Sequence, residues 1–326
     1  MKMAGPRGCT IFVAGRKRLA RLLALNFPLA LLVFEVPAQT LVPSINTDEL
    51  VRQTAAHELA AASVGGYYRF RFEKCIAHGS ETRDVIESRS WMVERLVLKN
   101  GQPLTAADQQ HEERRLRCLL MNPARLEAFQ KEQLSLKKRL RAFITAFPQA
   151  FSCEYDGVAQ DNSSRGLIRL RFHPNPRFVC RSWELRPLQG LEGTLLIEPD
   201  DERLARMDAR FFRDIDFGGG ILGQIDRGGS FQFEQQPLGD NRRGITTLAM
   251  HFNKRVLLAR VRVDFVTKTS GFQCVSRDVT LRQGVQQLLE QIQTTVVSSD
   301  AGKSQQVVRQ KSVDSDSPMP GARSEP

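Results

Sequence analysis

Residues 204–217 read LARMDARFFRDIDF, a run in which apolar and charged side chains largely alternate. Successive side chains of a β-strand point to opposite faces, so the pattern predicts one long strand with a buried face and a solvated face. The apolar parity holds Ala205, Met207, Ala209, Phe211, Ile215 and Phe217, and Arg213 alone breaks it. A sheet built of such strands needs a cover on its apolar face, which must come from the rest of the chain or from a ligand.

The same alternation recurs on both sides of this run, from Gly193 to Val266. Residues 248–252 and 257–265 repeat it, and 231–234 is a shorter example. The turn-forming residues between these runs are Pro199-Asp200-Asp201, Arg227-Gly228-Gly229, Gly239-Asp240-Asn241 and Asn253-Lys254. Short polar turns between alternating strands predict an antiparallel meander of five or six strands.

The two ends of the chain differ from this middle part. Basic residues at 16–21, an apolar run at 22–34 and the small-residue site Val36-Pro37-Ala38 are typical of a secretory signal peptide. We therefore expect residues 1–38 to be removed near Ala38 and the protein to be periplasmic or secreted. A retained N-terminal anchor is the lesser alternative. Once the leader is removed, we expect the protein to be peripheral to a membrane at most. Residues 298–326 are rich in Ser, Gln, Asp and Pro and are predicted to be disordered.

The formal charge of the whole chain is +11. The leader holds six of the Lys and Arg residues and one Glu, which leaves +6 for the remainder. These charges are spread along the strand faces, whereas a nucleic-acid footprint is clustered. The sequence therefore predicts no nucleic-acid partner.

Helical patterns flank and interrupt the strands. Residues 46–62 carry a capping Asn46 and apolar residues at helical spacing. Residues 105–147 contain no glycine and restart at Asn122-Pro123, which predicts a hairpin of two helices inserted into the sheet domain. A last helix is expected from about residue 279 to 297. Residues 39–297 are thus predicted to form one α+β domain, a curved antiparallel sheet covered by helices.

The sequence contains only incomplete or misplaced matches to motifs of catalysis and of metal or cofactor binding. Residues 218–223 match G-x-G-x-x-G, but a strand follows them where a dinucleotide site needs a helix, so we expect a hairpin turn. His57 and His111 each begin an H-E-x-x-H pattern, yet Ala61 and Arg115 stand where the second histidine belongs. The sequence predicts no metal, no cofactor, no catalytic residue and no enzymatic activity.

Five cysteines follow the leader, and no two of them form a C-x-x-C pair. They are Cys75, Cys118, Cys153, Cys180 and Cys274. An oxidising compartment permits disulfides, but the spacing does not fix their connectivity. We expect most of these cysteines to be small buried residues, with one or two bridges at most.

Three stretches carry a resemblance to a known superfamily. They are GTLLIEPDDERLARMD at 193–208, FRDIDFGGGILG at 212–223 and NGQPL at 100–104. With the leader, the N-terminal helix and the covered sheet, the chain from 47 to 292 resembles the LolA/LolB-like outer-membrane lipoprotein carriers, and most of all secreted proteins of acidobacterial type. The helical insertion, the cysteines and the polar tail depart from the carriers.

The resemblance implies a non-enzymatic half-barrel that holds a lipid or a lipoprotein acyl chain in an apolar hollow. The phenylalanine-rich face of the predicted sheet would supply such a hollow. The residues predicted to line it are Phe70, Phe72, Phe172, Met207, Phe211, Phe233, Met250 and Phe252. Their alternative role is ordinary core packing. The alternative function is a cell-envelope module that binds a protein partner and no small molecule, and a hydrolase with a dispersed site ranks third.

Overall fold

The computed structural model describes residues 45–63, 67–160, 166–220, 222–239, 242–257, 259–275 and 279–291. All of them belong to one unit, Ile45–Pro326. The predicted leader and the predicted tail lie outside the described residues, as does the end of the last predicted helix. No helix in the described ranges is long and apolar enough to span a bilayer.

Thirteen strands of the described chain form one antiparallel sheet. They are β1 Tyr67–Ile76, β2 Gly79–Glu87, β3 Met92–Lys99, β4 Gln102–Pro103, β5 Phe151–Gln160, β6 Gly166–Pro174, β7 Leu191–Glu198, β8 Arg203–Phe211, β9 Ile215–Phe217, β10 Gly223–Ile225, β11 Ser230–Gly239, β12 Arg242–Val256 and β13 Ala259–Val275. Their order in the sheet is β4-β3-β2-β1-β13-β12-β11-β8-β7-β6-β5, while β9 and β10 pair beside β12. The α+β class with an antiparallel sheet is confirmed.

Four α-helices occur at the predicted places in the described chain, and a 3-10 helix that was not predicted lies at Trp183–Gly190. The α-helices are α1 Thr47–Ala61, α2 Ala106–Met121, α3 Pro123–Ala150 and α4 at residues 281–291. Asn46 caps α1 through its side chain, which accepts a hydrogen bond from the Glu49 amide at 3.1 Å. Asn122 does the same for α3, whose first residue is Pro123. The predicted insertion of two helices therefore corresponds to α2 followed directly by α3.

The predicted single strand over 204–217 is wrong in one respect, because it breaks into β8 and β9. The pairing of β8 with β7 ends at Phe211, and the Phe212 amide donates to the Gly190 carbonyl at 3.0 Å. Asp214 then accepts from the Arg227 amide at 2.7 Å, which turns the chain away from β11. The break lies at Arg213, where the apolar alternation fails. As a result, residues 191–275 hold seven strands where five or six were expected.

The glycine-rich stretch after β9 forms a hairpin, as predicted. Gly218, Gly219 and Gly220 all have positive φ, at 58°, 66° and 83°. Only glycine adopts such angles without a steric cost, which allows the chain to reverse between β9 and β10. The pattern is a turn and not a nucleotide-binding loop.

Two hydrophobic clusters hold the helices onto the sheet. The first joins α1 and the end of α3 to β5–β8 and includes Leu50, Phe147, Phe172 and Leu195. The second joins α2 and α4 to β2 and β3 and includes Ile86, Val93, Leu116 and Val285. Phe129, in the first half of α3, packs against the second cluster. α3 therefore contacts both clusters.

Strand register places these clusters on opposite faces of the sheet. Paired residues of neighbouring strands share a face. Through pairings across successive strands, Phe172 lies on the same face as Ile76 of β1, and Ile76 pairs with Gly79 of β2. Ile86 follows Gly79 by an odd number of residues in a strand that pairs regularly with β1, so it faces the other way. We call the face of Phe172 the inner face.

Candidate functional site

A line of directly paired residues crosses seven strands on the inner face. In sheet order it consists of Phe172, Gly193, Ala209, Phe231, Met250, Phe265 and Ile76. We call this line the cross-sheet row. Each member is apolar or lacks a side chain, so the row is a continuous apolar band from β6 to β1.

Solvent exposure rises along the cross-sheet row. Phe172 is 1% exposed, because α1 and the end of α3 cover it together with its neighbours. Phe231, Met250 and Phe265 are half-buried, and Ile76 is 42% exposed. The apolar face thus begins as a closed core on β5–β8 and continues as an open surface on β11–β13 and β1.

The structure brings the eight predicted lining residues onto this one face. Register places Met207, Phe233 and Leu248 in the line next to the cross-sheet row, and Phe252 pairs with Val263 beyond it. Phe70 and Phe72 share the parity of Ile76 in β1. The sequence predicted their common face, although not how differently they are buried.

Burial divides the eight residues into two groups. Phe172 and Phe211 are almost fully buried in the first cluster, where the Phe172 ring lies 4.9 Å from that of Phe151. Phe70 is also buried, and its ring centroid lies 5.1 Å from that of Phe272. The half-buried members are Phe72, Met207, Phe233, Met250 and Phe252. Only this second group has surface that a partner could reach without opening the core.

The open part of the inner face carries the half-buried and exposed members of the cross-sheet row, together with their neighbours on the same face. We define the open patch as Phe231, Met250, Phe252, Val261, Phe265 and Ile76. Val261 is 39% exposed and pairs with Lys254, so it shares the face of Phe252 and Val263. Neighbouring apolar side chains that stay partly exposed on one face of a folded chain are typical of an interaction site.

Lysines border the open patch. The Lys74 ammonium lies 4.6 Å from the centre of the Phe265 ring, a cation–π contact. Lys254 lies on the same face, opposite Val261. Neither lysine belongs to an ion pair among the described residues, whereas the nearby Glu81 pairs with Arg83. The patch is therefore apolar at its centre and basic at its border.

Buried arginines lie where β7, β8, β11 and β12 end. Arg203 of β8 donates through Nε to Glu58 of α1 at 2.8 Å, and Arg243 of β12 pairs with Glu198 of β7 at 2.9 Å. The side chains of these two arginines are 4% and 3% exposed. Arg242 is 8% exposed, and its Nε and Nη1 atoms have no hydrogen-bond partner in the described structure. Sequence reasoning missed this cluster, because its members are far apart in the chain.

An open cleft, separate from the open patch, lies between the end of α3 and residues 175–185. Its volume is about 740 Å³, and its lining includes Ala146, Phe178, Leu185, Arg177 and Arg181. The sequence stretch His173-Pro174-Asn175-Pro176 predicted only a turn here. The sequence feature that could have pointed to this surface is the pair of apolar residues that follows, Val179 and Trp183. In the structure they are 73% and 67% exposed.

The cysteines differ from the expectation. All five described cysteines are free thiols, and only Cys153 is buried. Burial, together with the nearby charge of Asp48, raises the pKa of the Cys153 thiol to about 12, so it is no nucleophile. Cys75 and Cys274 are exposed on β1 and β13, which corrects the prediction that most are buried.

Metal-binding side chains do not gather in the described ranges: no group of three or more His, Cys, Asp or Glu residues is placed to hold an ion. His251, for example, is bound to an acidic residue that already has an arginine partner. Its Nδ1 lies 2.7 Å from Asp264, which is itself bonded to Arg262, and this polar group occupies the face opposite to the open patch.

Comparison with known proteins gives little guidance. No model of a protein family matches the sequence, and no curated protein matches it. Among solved structures, a crystal structure of MucB in complex with MucA(peri) is similar at 7% sequence identity and a TM-score of 0.21, covering 68% of this chain and 93% of that one. A MucA/MucB complex of Pseudomonas aeruginosa is similar at 8% identity and a TM-score of 0.22, covering 75% and 97%.

Proteins that differ this much in sequence and geometry need not share a function. The functional interpretation therefore rests on the side chains of the inner face.

Proposed function

We propose that this protein is a non-enzymatic module of the bacterial cell envelope that binds a segment of a protein partner on the open patch. The observation that supports this is the cross-sheet row, which begins as core at Phe172 and ends as exposed apolar surface at Ile76. The envelope location rests on the predicted leader at residues 1–38. The LolA/LolB-like resemblance fits an envelope location, but it does not distinguish a protein segment from an acyl chain as the ligand.

The border of the patch defines the chemistry of the partner. A segment that covers Phe231, Met250 and Phe265 must itself be apolar on one side. Lys74 and Lys254 favour acidic residues flanking that apolar side, because opposite charges across an interface steer association and fix orientation. Each half-exposed Phe, Met or Ile that becomes covered contributes about 1 kcal/mol of hydrophobic stabilisation. The five such residues of the open patch, together with Val261, suffice for a specific if modest affinity.

Site-specific photo-crosslinking in the cells that make the protein tests the proposal. A benzophenone side chain at Val261 should give a protein adduct, because this residue belongs to the open patch and is solvent-accessible. The same probe at Val158, which is 59% exposed on the edge strand β5, is the matched control. Lys74→Glu should weaken the adduct at Val261 by reversing the charge at the border. The proposal is abandoned if both positions give the same adducts.

An acyl chain is the second candidate occupant. The continuity of the apolar row favours it, since a linear band of Phe and Met side chains suits a linear hydrocarbon. Lipid bound at the same place would appear as a lipid adduct of the Val261 probe and as a co-purifying lipid in native mass spectrometry. In that case Lys74→Glu would leave the hydrocarbon contact in place, while Ile76→Asp would remove it. Catalysis has no part in either candidate, and turnover in a broad hydrolase screen would contradict both.

A further inference from the structure

Arg242, the first residue of β12, is a buried cation that forms no ion pair with any carboxylate of the described chain. Arg242 is 8% exposed, and its Nε and Nη1 atoms are shielded from solvent without a hydrogen-bond partner among the described residues. An arginine cannot relieve this situation by losing its proton. A buried charge is costly unless an opposite charge compensates it, so this side chain requires an explanation.

Two other buried arginines, Arg203 and Arg243, each have the carboxylate partner that Arg242 lacks among the described residues. Arg203 is compensated by Glu58, and the next residue in the chain, Arg243, is compensated by both carboxylate oxygens of Glu198. Among the described residues, Arg203 and Arg243 thus each have a carboxylate partner, whereas the buried Nε and Nη1 atoms of Arg242 have none.

The surroundings of Arg242 suit an anion-binding site. Its guanidinium carbon lies 4.9 Å from the centre of the Tyr68 ring, which holds the group in place by a cation–π contact. Close to it, Gly244 leaves no space for a side chain, since a Cβ there would meet the Phe272 ring at 2.7 Å and Leu238 at 2.8 Å. Apolar walls of this kind lower the local dielectric and strengthen any ion pair formed within them.

We infer that Arg242 is the anchor of an oxyanion-binding site, which takes a carboxylate or phosphate group. A planar guanidinium with free N–H groups matches either oxyanion in geometry and charge. The site is separate from the open patch, so it can be tested without any protein partner. It also differs from the surface lysines, because its donor is fixed and desolvated before the ligand arrives.

Thermal unfolding in the presence of simple anions tests the inference. In chloride buffer of constant ionic strength, millimolar inorganic phosphate or acetate should raise the Tm of the full-length protein by about 3 °C and then saturate. Saturation with acetate alone indicates a carboxylate ligand, and saturation with phosphate alone indicates a phosphorylated one. Arg242→Met should abolish the rise and, since it removes an uncompensated charge, should raise the Tm of the anion-free protein.

Arg260→Met is the matched control, because it removes the same charge from an exposed position on β13. This variant should respond to the anions as the wild type does. An equal Tm rise in Arg242→Met would show that the anions act elsewhere and would overturn the inference. The inference would also be overturned if Arg242→Met had a lower Tm than the wild type in anion-free buffer and its Tm rose with the anions as much as that of the wild type.

Arg242→Lys provides a second readout, because it retains the charge and loses the planar fork. In ¹H–¹⁵N spectra of arginine side chains, one Nε–H signal should shift on addition of the saturating anion. That signal should be missing in Arg242→Lys. A spectrum without any anion-dependent Nε–H signal would contradict the site even if the Tm rises.

Discussion

Glu58 of α1 and Arg203 of β8 form a buried ion pair across 145 residues of sequence, with Nε and Oε1 2.8 Å apart. The Glu58 carboxylate also accepts from the Leu204 amide at 3.3 Å and from the Gln235 side chain at 3.2 Å. One carboxylate thus connects the helix to β8 and β11. α1 is held on the inner face by this polar contact as well as by Leu50 and Val51 of the first cluster.

Glu58→Gln should destabilise the fold by about 3 kcal/mol, because it removes the carboxylate that compensates the buried Arg203. Urea unfolding followed by circular dichroism measures the change in the free energy of unfolding. Glu49→Gln is the control on the same helix, since its ion pair with Arg52 is exposed and should matter by less than about 0.5 kcal/mol. Equal effects of the two substitutions would mean that the Glu58 pair is not an anchor.

Gly193 lies in the cross-sheet row because β7 and β8 approach too closely there for a side chain. A Cβ at this position would lie 1.9 Å from the Asp208 carbonyl oxygen and 2.8 Å from the Ala209 Cα. Backbone cannot move aside as a flexible side chain does. Gly193→Ala should therefore force the two strands apart and lower the free energy of unfolding by about 3 kcal/mol.

Gly166→Ala is the corresponding control. A Cβ there would meet only the Val158 methyl group at 3.1 Å, and Val158 is exposed and can shift. Its urea midpoint should stay close to that of the wild type. If Gly193→Ala is equally mild, then β7 and β8 are less tightly paired than their register indicates.

Local signals explain what the sequence predicted well. Asn46 as a helix cap, the restart at Asn122-Pro123 and the alternation in residues 67–76 each depend on neighbours a few positions apart. Helix and strand boundaries there agree with the structure within a few residues. The glycine hairpin at 218–220 was predictable for the same reason.

Long-range pairing explains what could not be predicted. Nothing in the alternation of β13 indicates that its partner is β1, nearly 200 residues earlier, yet this pairing places Ile76 at the end of the cross-sheet row. The two faces that carry the hydrophobic clusters depend on that register as well. Arg242 looked like any other charged residue at a turn, because the sequence does not show that its surroundings are closed.

Thiol reactivity should separate Cys153 from the other cysteines. Burial raises the pKa of its thiol to about 12, so almost no thiolate is present near pH 8, and the side chain is also shielded from reagents. Native protein treated with iodoacetamide should be alkylated at Cys75 and Cys274, which are exposed. Peptide mapping by mass spectrometry should find Cys153 modified only after unfolding. Rapid native modification of Cys153 would show that the contact between α1 and β5 opens readily.

Glu112 connects α2 to the backbone of β3. Its Oε1 atom accepts from the Leu96 amide at 2.8 Å and from Arg115, and its Oε2 atom accepts from Arg115 at 2.8 Å. Burial by itself would raise the pKa of this carboxyl group. The hydrogen bonds from Arg115 and Leu96 outweigh burial, however, and hold the pKa below its usual value.

The lowered pKa fixes the sign of the pH dependence. The unfolded chain binds a proton at Glu112 at a higher pH than the folded chain does, so ionised Glu112 stabilises the fold above the ordinary glutamate pKa of about 4.3. This contribution is lost as the pH falls through the lower, folded-state pKa. Glu112→Gln should cost about 2 kcal/mol near neutral pH, and the difference from the wild type should shrink in acid.

Urea unfolding of both proteins at neutral and acidic pH measures this convergence. Glu113→Gln is the control, because its pair with Arg117 lies on the more exposed side of the same helix. That variant should follow the wild-type curve at each pH. A gap between wild type and Glu112→Gln that stays constant into acid would mean that the glutamate acts through its shape and hydrogen bonds and not through its charge.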